Sequence, residues 1–183
     1  CTLKDGMNIN MLEKCIESYK STIEFEKMIN NSLCNKKIRL SNFPSHISEN
    51  IVKFVLFKKY KIMPTWDTDK GDLIFSFLKK IIRIEVKGSI DLSNGPPTFG
   101  PTENWDFIYF VDGLNNSIKK YKVYEVKLSN ISIQWKNMKV NKTQSYEDQC
   151  KQGRRPRLTF SEIQKQLGDC CKLIFDGYIS ELY

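Results

Sequence analysis

The sequence predicts a mixed α/β fold of the α+β kind, in which a central β-sheet is flanked by helices. Two observations support this fold class: apolar residues recur at helical spacing near both ends of the chain, and short β-rich runs occupy the middle. With 183 residues and a hydrophobic content of 40%, the chain can form one domain with a sizeable core. It has no apolar run long enough to span a bilayer and no N-terminal segment resembling a signal peptide.

Two helices are predicted before the first strand. The first covers about residues 8–30, and it packs either on the core or on a partner subunit, which the sequence does not decide. The second runs from about Ser45 to Lys61, with Ser45 as its N-cap. Glu49 lies in the first turns of this helix, where an acid favours the positive helix end. The alternative is that Glu49 is a third carboxylate pointing toward a metal site.

A β-hairpin follows, because Leu73–Leu78 and Ile81–Val86 are both apolar and rich in β-forming residues. Only two lysines separate these runs. The hairpin turns either through a two-residue loop at Leu78–Lys79 or through a four-residue loop at Phe77–Lys80. Because Leu-Lys is poor chemistry for a two-residue turn, we expect the longer loop. Both loops give the same pairing between the two strands.

This pairing places Asp72 opposite Glu85 and brings Lys87 to the same face. Directly opposed residues have Cβ atoms roughly 5 Å apart, and residues two apart on a strand share a face. Two carboxylates can hold a divalent metal through oxygen ligands, and a lysine beside them can orient or help deprotonate a water molecule. The set therefore predicts metal-assisted hydrolysis of a phosphodiester.

A long loop and two further strands follow the hairpin. The loop, Ser89–Asn104, is rich in glycine and proline, which argues against regular structure, and its length favours a functional role. We expect Thr98 and Thr102 in this loop to reach bound DNA. The strands Trp105–Val111 and Tyr121–Leu128 are predicted from their β-forming residues, and a short helix is expected between residues 131 and 138.

The tripeptide Glu-Val-Lys occurs a second time, at residues 125–127, and Asp112 precedes Glu125 by the same interval as in the first set. A turn at Gly113–Asn116 puts Asp112 at the edge of a loop. Glu125 would then lie opposite a residue near Asn104 or Trp105. We therefore interpret this second set as charged residues on the solvated face of a strand, and the first set as the candidate active centre.

The net charge of +8 favours a polyanionic partner, with nucleic acid ahead of a membrane surface. The densest cationic segment lies within residues 141–157. Arginine and glutamine can read base edges in the major groove, whereas lysine and arginine also neutralise phosphates; the alternative is a solvated loop. The predicted DNA-binding residues of this segment are Gln149, Lys151, Gln152, Arg154, Arg155 and Arg157. A capping box at Thr159–Glu162 then begins a final helix over about residues 160–175.

Six cysteines and one histidine limit the possible chemistry. No Cys-x-x-Cys pair occurs, and His46 alone cannot complete a ligand cluster, so a zinc site is not expected. A single histidine also excludes any mechanism that needs two histidines in one chain. The cysteine pattern indicates free thiols in a reducing, cytoplasmic compartment.

The order of these elements resembles the PD-(D/E)xK nuclease superfamily and, more narrowly, the type II restriction endonucleases. The resemblance extends from about residue 43 to residue 173, although the first acid follows Gly71 where the superfamily often has proline. The segments that carry it are SENIVKF (48–54), PTWDTDKGDL (64–73), RIEVKG (83–88), FGPTENWDFIYFVD (99–112) and QCKQGRRPR (149–157).

The resemblance implies a restriction-endonuclease-like core with a central mixed β-sheet. It divides a single nuclease domain, residues 1–183, into an N-terminal helix (about 8–30), a catalytic core (about 43–128), a basic DNA-recognition segment (about 141–158) and a C-terminal helix (about 160–175). It also implies a sequence-specific double-strand endonuclease, a type II site-specific deoxyribonuclease that leaves a 5′-phosphate and a 3′-hydroxyl. Family members often act as homodimers on palindromic sites.

The resemblance further assigns roles to individual residues. Asp72 and Glu85 would be metal ligands, together with the backbone carbonyl of Val86, and Glu49 would bind the metal directly or through water. Lys87 would orient the attacking water and stabilise developing charge. The implied ion is Mg²⁺, with Mn²⁺ as a substitute, and no small-molecule cofactor is expected.

Two alternatives remain open from the residues. One is a structure-specific nuclease on the same fold, such as a junction resolvase or a repair nuclease. The other is a non-catalytic nucleic-acid-binding protein in which Glu85-x-Lys87 is a chance pattern on the surface.

Overall fold

The structure, a computed structural model, describes residues 8–32, 37–67, 72–95, 97–114 and 120–182. Gly71 and two members of the predicted turn, Asn115 and Asn116, lie outside these ranges. The helices are α1 (Ile9–Ser32), α2 (Ser45–Tyr60), α3 (Ile133–Lys136), α4 (Tyr146–Lys151) and α5 (Phe160–Leu167). The strands are β1 (Thr65–Trp66), β2 (Leu73–Phe77), β3 (Lys80–Ser89), β4 (Phe107–Asp112), β5 (Lys120–Val126) and β6 (Cys171–Tyr178).

The strands form one six-stranded sheet in chain order, from β1 to β6. The neighbours are antiparallel except for β3 and β4, which are parallel, so the predicted mixed sheet flanked by helices is confirmed. A parallel pair requires the chain to cross back between the two strands. Residues 90–106 make this crossing, and their described part contains no helix or strand beyond an isolated bridge from Thr98 to Arg157.

The first hairpin has the register that the sequence predicts, because Leu73 pairs with Ile84 and Phe77 pairs with Lys80. The prediction of a four-residue loop is wrong. Leu78 and Lys79 alone form the turn, with φ angles of 48° and 64°. Two successive positive φ angles are typical of a type I′ turn, whose twist matches that of the strands. The paired strands therefore impose a conformation that costs each residue roughly 1–2 kcal/mol.

Two hydrophobic clusters cover the two faces of the sheet. Helices α1 and α2 contribute to the first cluster, together with Val86 and Tyr109, so α1 packs on the core. The second cluster is built around Trp105 and Trp135 and includes residues of α4 and α5. Within the described residues, no helix is both long and apolar enough to cross a membrane.

The prediction of Ser45 as the N-cap of α2 is wrong by one residue. Pro44 occupies that position with extended backbone, and no side chain caps the helix. Proline fixes φ near −65°, so Pro44 orients the chain where it enters the helix. Glu49 therefore lies one turn inside α2 and is half-buried.

The predicted C-terminal helix over residues 160–175 is only half correct. The capping box formed by Thr159 and Glu162 is confirmed, but α5 ends at Leu167. Gly168 takes a φ of 51°, which ends the helix without steric cost. The chain then forms β6, which pairs with the outer edge of β5 and satisfies main-chain groups that would otherwise be unpaired.

The basic segment is more ordered than its composition indicates. It contains α4, which begins with a capping box between Ser145 and Asp148. Pro156 and Leu158 are buried and anchor the segment after that helix. The predicted short helix before it is α3, which buries Trp135 against the second cluster.

Candidate active site

Asp72 lies just before β2 and reaches across to β3. Its Oδ2 atom accepts a hydrogen bond of 2.7 Å from the backbone N–H of Val86. The Leu73–Ile84 pairing places Asp72 beside Glu85, as predicted. The two-residue turn of the hairpin fixes this register, because a slip by one residue would move the side chains to the other face.

Glu85 and Lys87 lie on one face of β3 and contact each other. Lys87 Nζ is 2.5 Å from Glu85 Oε1, and Glu85 is only 7% exposed. The ammonium group also lies 5.6 Å from the centre of the Phe99 ring, which belongs to the second cluster. Asp72, Glu85 and Lys87 therefore come together as the sequence predicts.

Burial controls the protonation of these carboxylates. It raises the pKa of Glu85 to about 7, although the positive charge of Lys87 acts in the opposite direction. Burial also raises the pKa of Asp72, and the hydrogen bond from Val86 opposes that change. Burial would lower the pKa of Lys87, but the surrounding carboxylates, with Glu85 foremost, raise it overall. The raised pKa leaves Glu85 partly protonated near neutral pH.

Glu49 approaches the site from α2. Burial raises its pKa to about 7, and the negative charge of Asp72 contributes to the increase. In the described part of the chain, however, no three His, Cys, Asp or Glu side chains lie close enough to hold one metal ion together. Asp72, which is half-buried, and Glu85, which is buried, nevertheless offer carboxylate oxygens, and these are the ligands that a hard divalent cation such as Mg²⁺ prefers.

Glu103 is an additional acidic residue at the site that the sequence analysis did not select. Its Oε2 atom is 3.6 Å from Lys87 Nζ, and its Oε1 atom is 3.8 Å from Arg155 Nη2. The residue belongs to the long loop between β3 and β4. The sequence signal that could have identified Glu103 is its position as an acid in a turn-rich loop that follows β3, the strand of Glu85 and Lys87.

A cavity of about 580 Å³ opens beside Lys87. Thr98 and Arg155 line it together with Lys87, so the structure brings these two predicted DNA-binding residues close to Lys87. Arg39 and Asn42 line its other side, and an Arg39 nitrogen lies 3.2 Å from the side-chain oxygen of Asn42. Neither was predicted, because an isolated arginine before α2 has no distinguishing pattern in the sequence.

The other predicted DNA-binding residues do not line this cavity. Thr102 is exposed and lies in the turn that leads to Glu103. Lys151 forms an ion pair with Glu147. Hydrogen bonds join Gln144 to both Gln149 and Gln152, while Arg154 and Arg157 are exposed.

The second Glu-Val-Lys segment has a different environment. Glu125 pairs with Tyr109, so the expectation that it lies opposite Asn104 or Trp105 is wrong. Glu125 is also 4% exposed, so the prediction of a solvated position is wrong for this residue. The hydroxyl groups of Tyr60 and Tyr109 donate hydrogen bonds of 3.0 Å and 2.8 Å to its two oxygens. The expectation that Glu125 does not face Asp112 is confirmed, because Asp112 pairs with Lys122.

Comparisons with known proteins show what the chain is similar to. The sequence model of the Bsp6I restriction endonuclease family matches residues 8–167. The chain is similar to the type II restriction enzyme Bsp6I of Bacillus sp. (strain RFL6), with 29% identity over 147 residues that cover 80% of this chain and 76% of the relative. No solved structure matches.

Proposed function

Because this chain belongs to the Bsp6I restriction endonuclease family, we propose that it cleaves double-stranded DNA at a specific sequence by Mg²⁺-dependent hydrolysis. Family membership makes it a site-specific deoxyribonuclease, which is a hydrolase. The observation that carries the chemistry is the convergence of Asp72, Glu85 and Lys87 on one hairpin. Hydrolysis would leave a 5′-phosphate and a 3′-hydroxyl, and Mn²⁺ would substitute for Mg²⁺.

Each side chain has a role in this proposal. Asp72 and Glu85 hold the cation, with the Val86 carbonyl beside them, and Glu49 binds it directly or through water. Bound Mg²⁺ supplies charge stabilisation at the scissile phosphate and lowers the pKa of a water molecule. Lys87 donates hydrogen bonds that orient the attacking water and stabilises negative charge on the phosphate.

The cavity beside Lys87 supports DNA as the substrate. Arg39 and Arg155 line it, and two arginines can contact phosphates or base edges. The remaining members of the basic segment, together with Thr98 and Thr102, contact the flanking backbone in this proposal. The net charge of +8 assists the approach of DNA over distances of about a Debye length.

We also propose that two copies act together in a reducing cytoplasm. One active site hydrolyses one strand, so cutting both strands at a palindromic site requires a second site related by two-fold symmetry. The described cysteines, Cys15, Cys150, Cys170 and Cys171, are free thiols, as expected in such a compartment.

The test is cleavage of plasmid DNA by the wild-type protein and by Asp72→Ala. With Mg²⁺, the wild type is expected to give discrete bands and the variant none. Mapping the ends of the products would give the recognition sequence and the positions of the phosphates. Cleavage of branched DNA alone would instead support a structure-specific nuclease. DNA binding without cleavage by the wild type would contradict the enzymatic proposal.

A further inference from the structure

Glu103 connects two groups of side chains that have separate roles in the proposed reaction. One of its oxygens is 3.6 Å from Lys87 Nζ, and the other is 3.8 Å from Arg155 Nη2. Lys87 contacts Glu85 at the catalytic centre. Arg155 lies in the basic segment and its side chain is 63% exposed, so it remains available to DNA.

The local structure holds the Glu103 side chain in place. The Glu103 N–H donates to the carbonyl of Gly100 at 3.4 Å, closing a turn. The side chain folds back over Gly100, where an added Cβ would lie 2.7 Å from Glu103 Oε1. A side chain at position 100 would therefore displace the end of the Glu103 side chain.

Asn130 fixes the backbone immediately after this acid. Its Nδ2 atom donates to the Glu103 carbonyl at 2.6 Å, and its Oδ1 atom accepts from the Trp105 N–H at 3.4 Å. Trp105 is 1% exposed and packs against Trp135 in the second cluster. The backbone at Glu103 is thus anchored to the core.

The loop that carries Glu103 is also joined to the basic segment. Thr98 and Arg157 form a β-bridge, and the Phe99 N–H donates to the Pro156 carbonyl at 3.1 Å. These contacts flank Arg155 on its C-terminal side. The backbone of Arg155 is therefore held in register with the loop, which keeps its guanidinium group within reach of Glu103.

Glu103 Oε2 is buried and, among the described residues, has no hydrogen-bond partner. Its interaction with Lys87 at 3.6 Å is therefore a charge–charge attraction beyond hydrogen-bonding distance. Such attraction is stronger in a site with little solvent than at a surface. A change in the charge near Glu103 will consequently alter the electrostatic attraction between Glu103 and the Lys87 ammonium group.

We propose that Glu103 is a positioning residue that transmits contact between Arg155 and DNA to Lys87. The inference rests on the proposed endonuclease function. Without DNA, the Glu103 carboxylate is shared between Arg155 and Lys87. When a phosphate or base edge fixes Arg155, the guanidinium group holds the Glu103 carboxylate in place, and the carboxylate in turn holds the Lys87 ammonium group for catalysis. Cleavage then becomes conditional on a contact in the basic segment.

The test measures two quantities for Glu103→Gln, Arg155→Gln and the double variant. These are the Kd for DNA without divalent cation and the single-turnover cleavage rate at saturating enzyme with Mg²⁺. Glu103→Gln is expected to reduce the cleavage rate by about 5–100-fold while the Kd stays within about twofold. Arg155→Gln is expected to weaken binding and to slow cleavage. The double variant should cleave no more slowly than the slower single variant, because both changes interrupt one connection.

Three further variants separate this role from a structural one. Glu103→Asp keeps the charge and is expected to recover part of the rate. Asp176→Asn removes an acid that forms ion pairs with Lys120 and Lys122 and should leave the rate unchanged. Arg154→Gln, a matched arginine change, should weaken binding. When it is combined with Glu103→Gln, the fold-changes that the two substitutions cause in the cleavage rate should multiply.

Independent, multiplicative effects of Glu103→Gln and Arg155→Gln on the cleavage rate would overturn the inference. Equal losses of binding and cleavage in Glu103→Gln, or no recovery in Glu103→Asp, would also overturn it. A wild-type protein that binds DNA but does not cleave it is a separate result, which would contradict the proposed function itself.

Discussion

The same tripeptide, Glu-Val-Lys, occurs at residues 85–87 and 125–127, and the structure gives the two copies opposite environments. Val86 pairs with Tyr109, and Tyr109 pairs with Glu125. Because paired residues in a sheet share a face and neighbours along a strand alternate, Glu85 and Glu125 lie on opposite faces. Both copies border a cavity, of about 580 Å³ at Lys87 and about 550 Å³ at Glu125 and Lys127, but the carboxylate of the second copy is fixed by two tyrosines.

The comparison shows that a short motif acquires its function from its neighbours. Glu85 has Lys87 at 2.5 Å and Asp72 across the hairpin, so its partners are charged groups that a cation and a phosphate can reorganise. Glu125 accepts hydrogen bonds from hydroxyl groups at both oxygens, one of them from Tyr60 at the end of α2, and Lys127 Nζ lies 3.5 Å from its Oε1. We therefore infer that Glu125 anchors α2 to the sheet, while Glu85 belongs to the active site.

The largest difference is expected between the two lysines. Lys87→Ala should reduce the cleavage rate by about 10²–10⁴-fold, because the group that orients water and stabilises charge is lost. Lys127→Ala should have little effect on cleavage, because that half-exposed side chain contacts Glu125, which lies on the opposite face of the sheet from Glu85. Single-turnover cleavage and DNA affinity, measured for both variants, would test the contrast. Equal losses of cleavage would contradict it.

Glu125→Ala should have its main effect on stability. The change leaves the buried hydroxyls of Tyr60 and Tyr109 without their acceptor, at a cost of about 2–4 kcal/mol in the free energy of unfolding. Denaturant unfolding monitored by circular dichroism would measure this loss. The matched change Lys127→Ala should cost less than about 1 kcal/mol. A Glu125→Ala protein as stable as the wild type would show that the tyrosine contacts are not stabilising.

The active-site carboxylates should make both stability and cleavage depend on pH. The pKa values of Glu85 and Glu49 are each raised to about 7, so the folded protein binds more protons than the unfolded chain between about pH 4.5 and 7. In the absence of Mg²⁺, stability should therefore fall as pH rises through this window. Cation binding requires the deprotonated carboxylates, so cleavage should increase over the same window.

Thermal unfolding of the metal-free protein across this pH window would measure the first effect. Glu85→Gln should weaken the dependence, because glutamine does not titrate. Added Mg²⁺ should stabilise the wild type most at the upper end of the window, since the carboxylates are then ionised. Stability that rises with pH in the metal-free protein would contradict the proposed environment of Glu85.

The smallest effect is expected from changes in the Leu78–Lys79 turn, which sets the strand pairing that places Glu85. Replacing Leu78–Lys79 with Asn-Gly supplies residues that adopt positive φ readily, so the free energy of unfolding should rise by about 1 kcal/mol or more. The cleavage rate should stay close to that of the wild type, because the register is unchanged. A large change in cleavage would show that the turn itself, and not only the pairing it produces, affects the site.

The sequence was sufficient to predict the pairing of Asp72 with Glu85, because strand alternation and a short connection leave few possible registers. It was not sufficient for the turn, since the paired strands override the local preferences of Leu78 and Lys79. The strand at residues 171–178 was predicted in part as helix for a similar reason. Its stability comes from the edge of β5, which is distant in sequence.

Glu103 and Arg39 were missed because their positions depend on tertiary contacts. Glu103 is placed by Gly100 and Asn130, and neither contact leaves a periodic signal in the sequence. The burial of Glu125 was missed for the same reason, because Tyr60 and Tyr109 reach it from a helix and from the neighbouring strand.

The most direct test of the account compares Glu85→Gln with Glu125→Gln, which make the same chemical change in the two copies of one tripeptide. Both variants would be checked for folding by circular dichroism and then assayed for single-turnover cleavage of plasmid DNA with Mg²⁺. The account predicts that Glu85→Gln reduces the rate by about 10³-fold or more, whereas Glu125→Gln cleaves at close to the wild-type rate. Cleavage retained by Glu85→Gln and lost in a folded Glu125→Gln protein would contradict it.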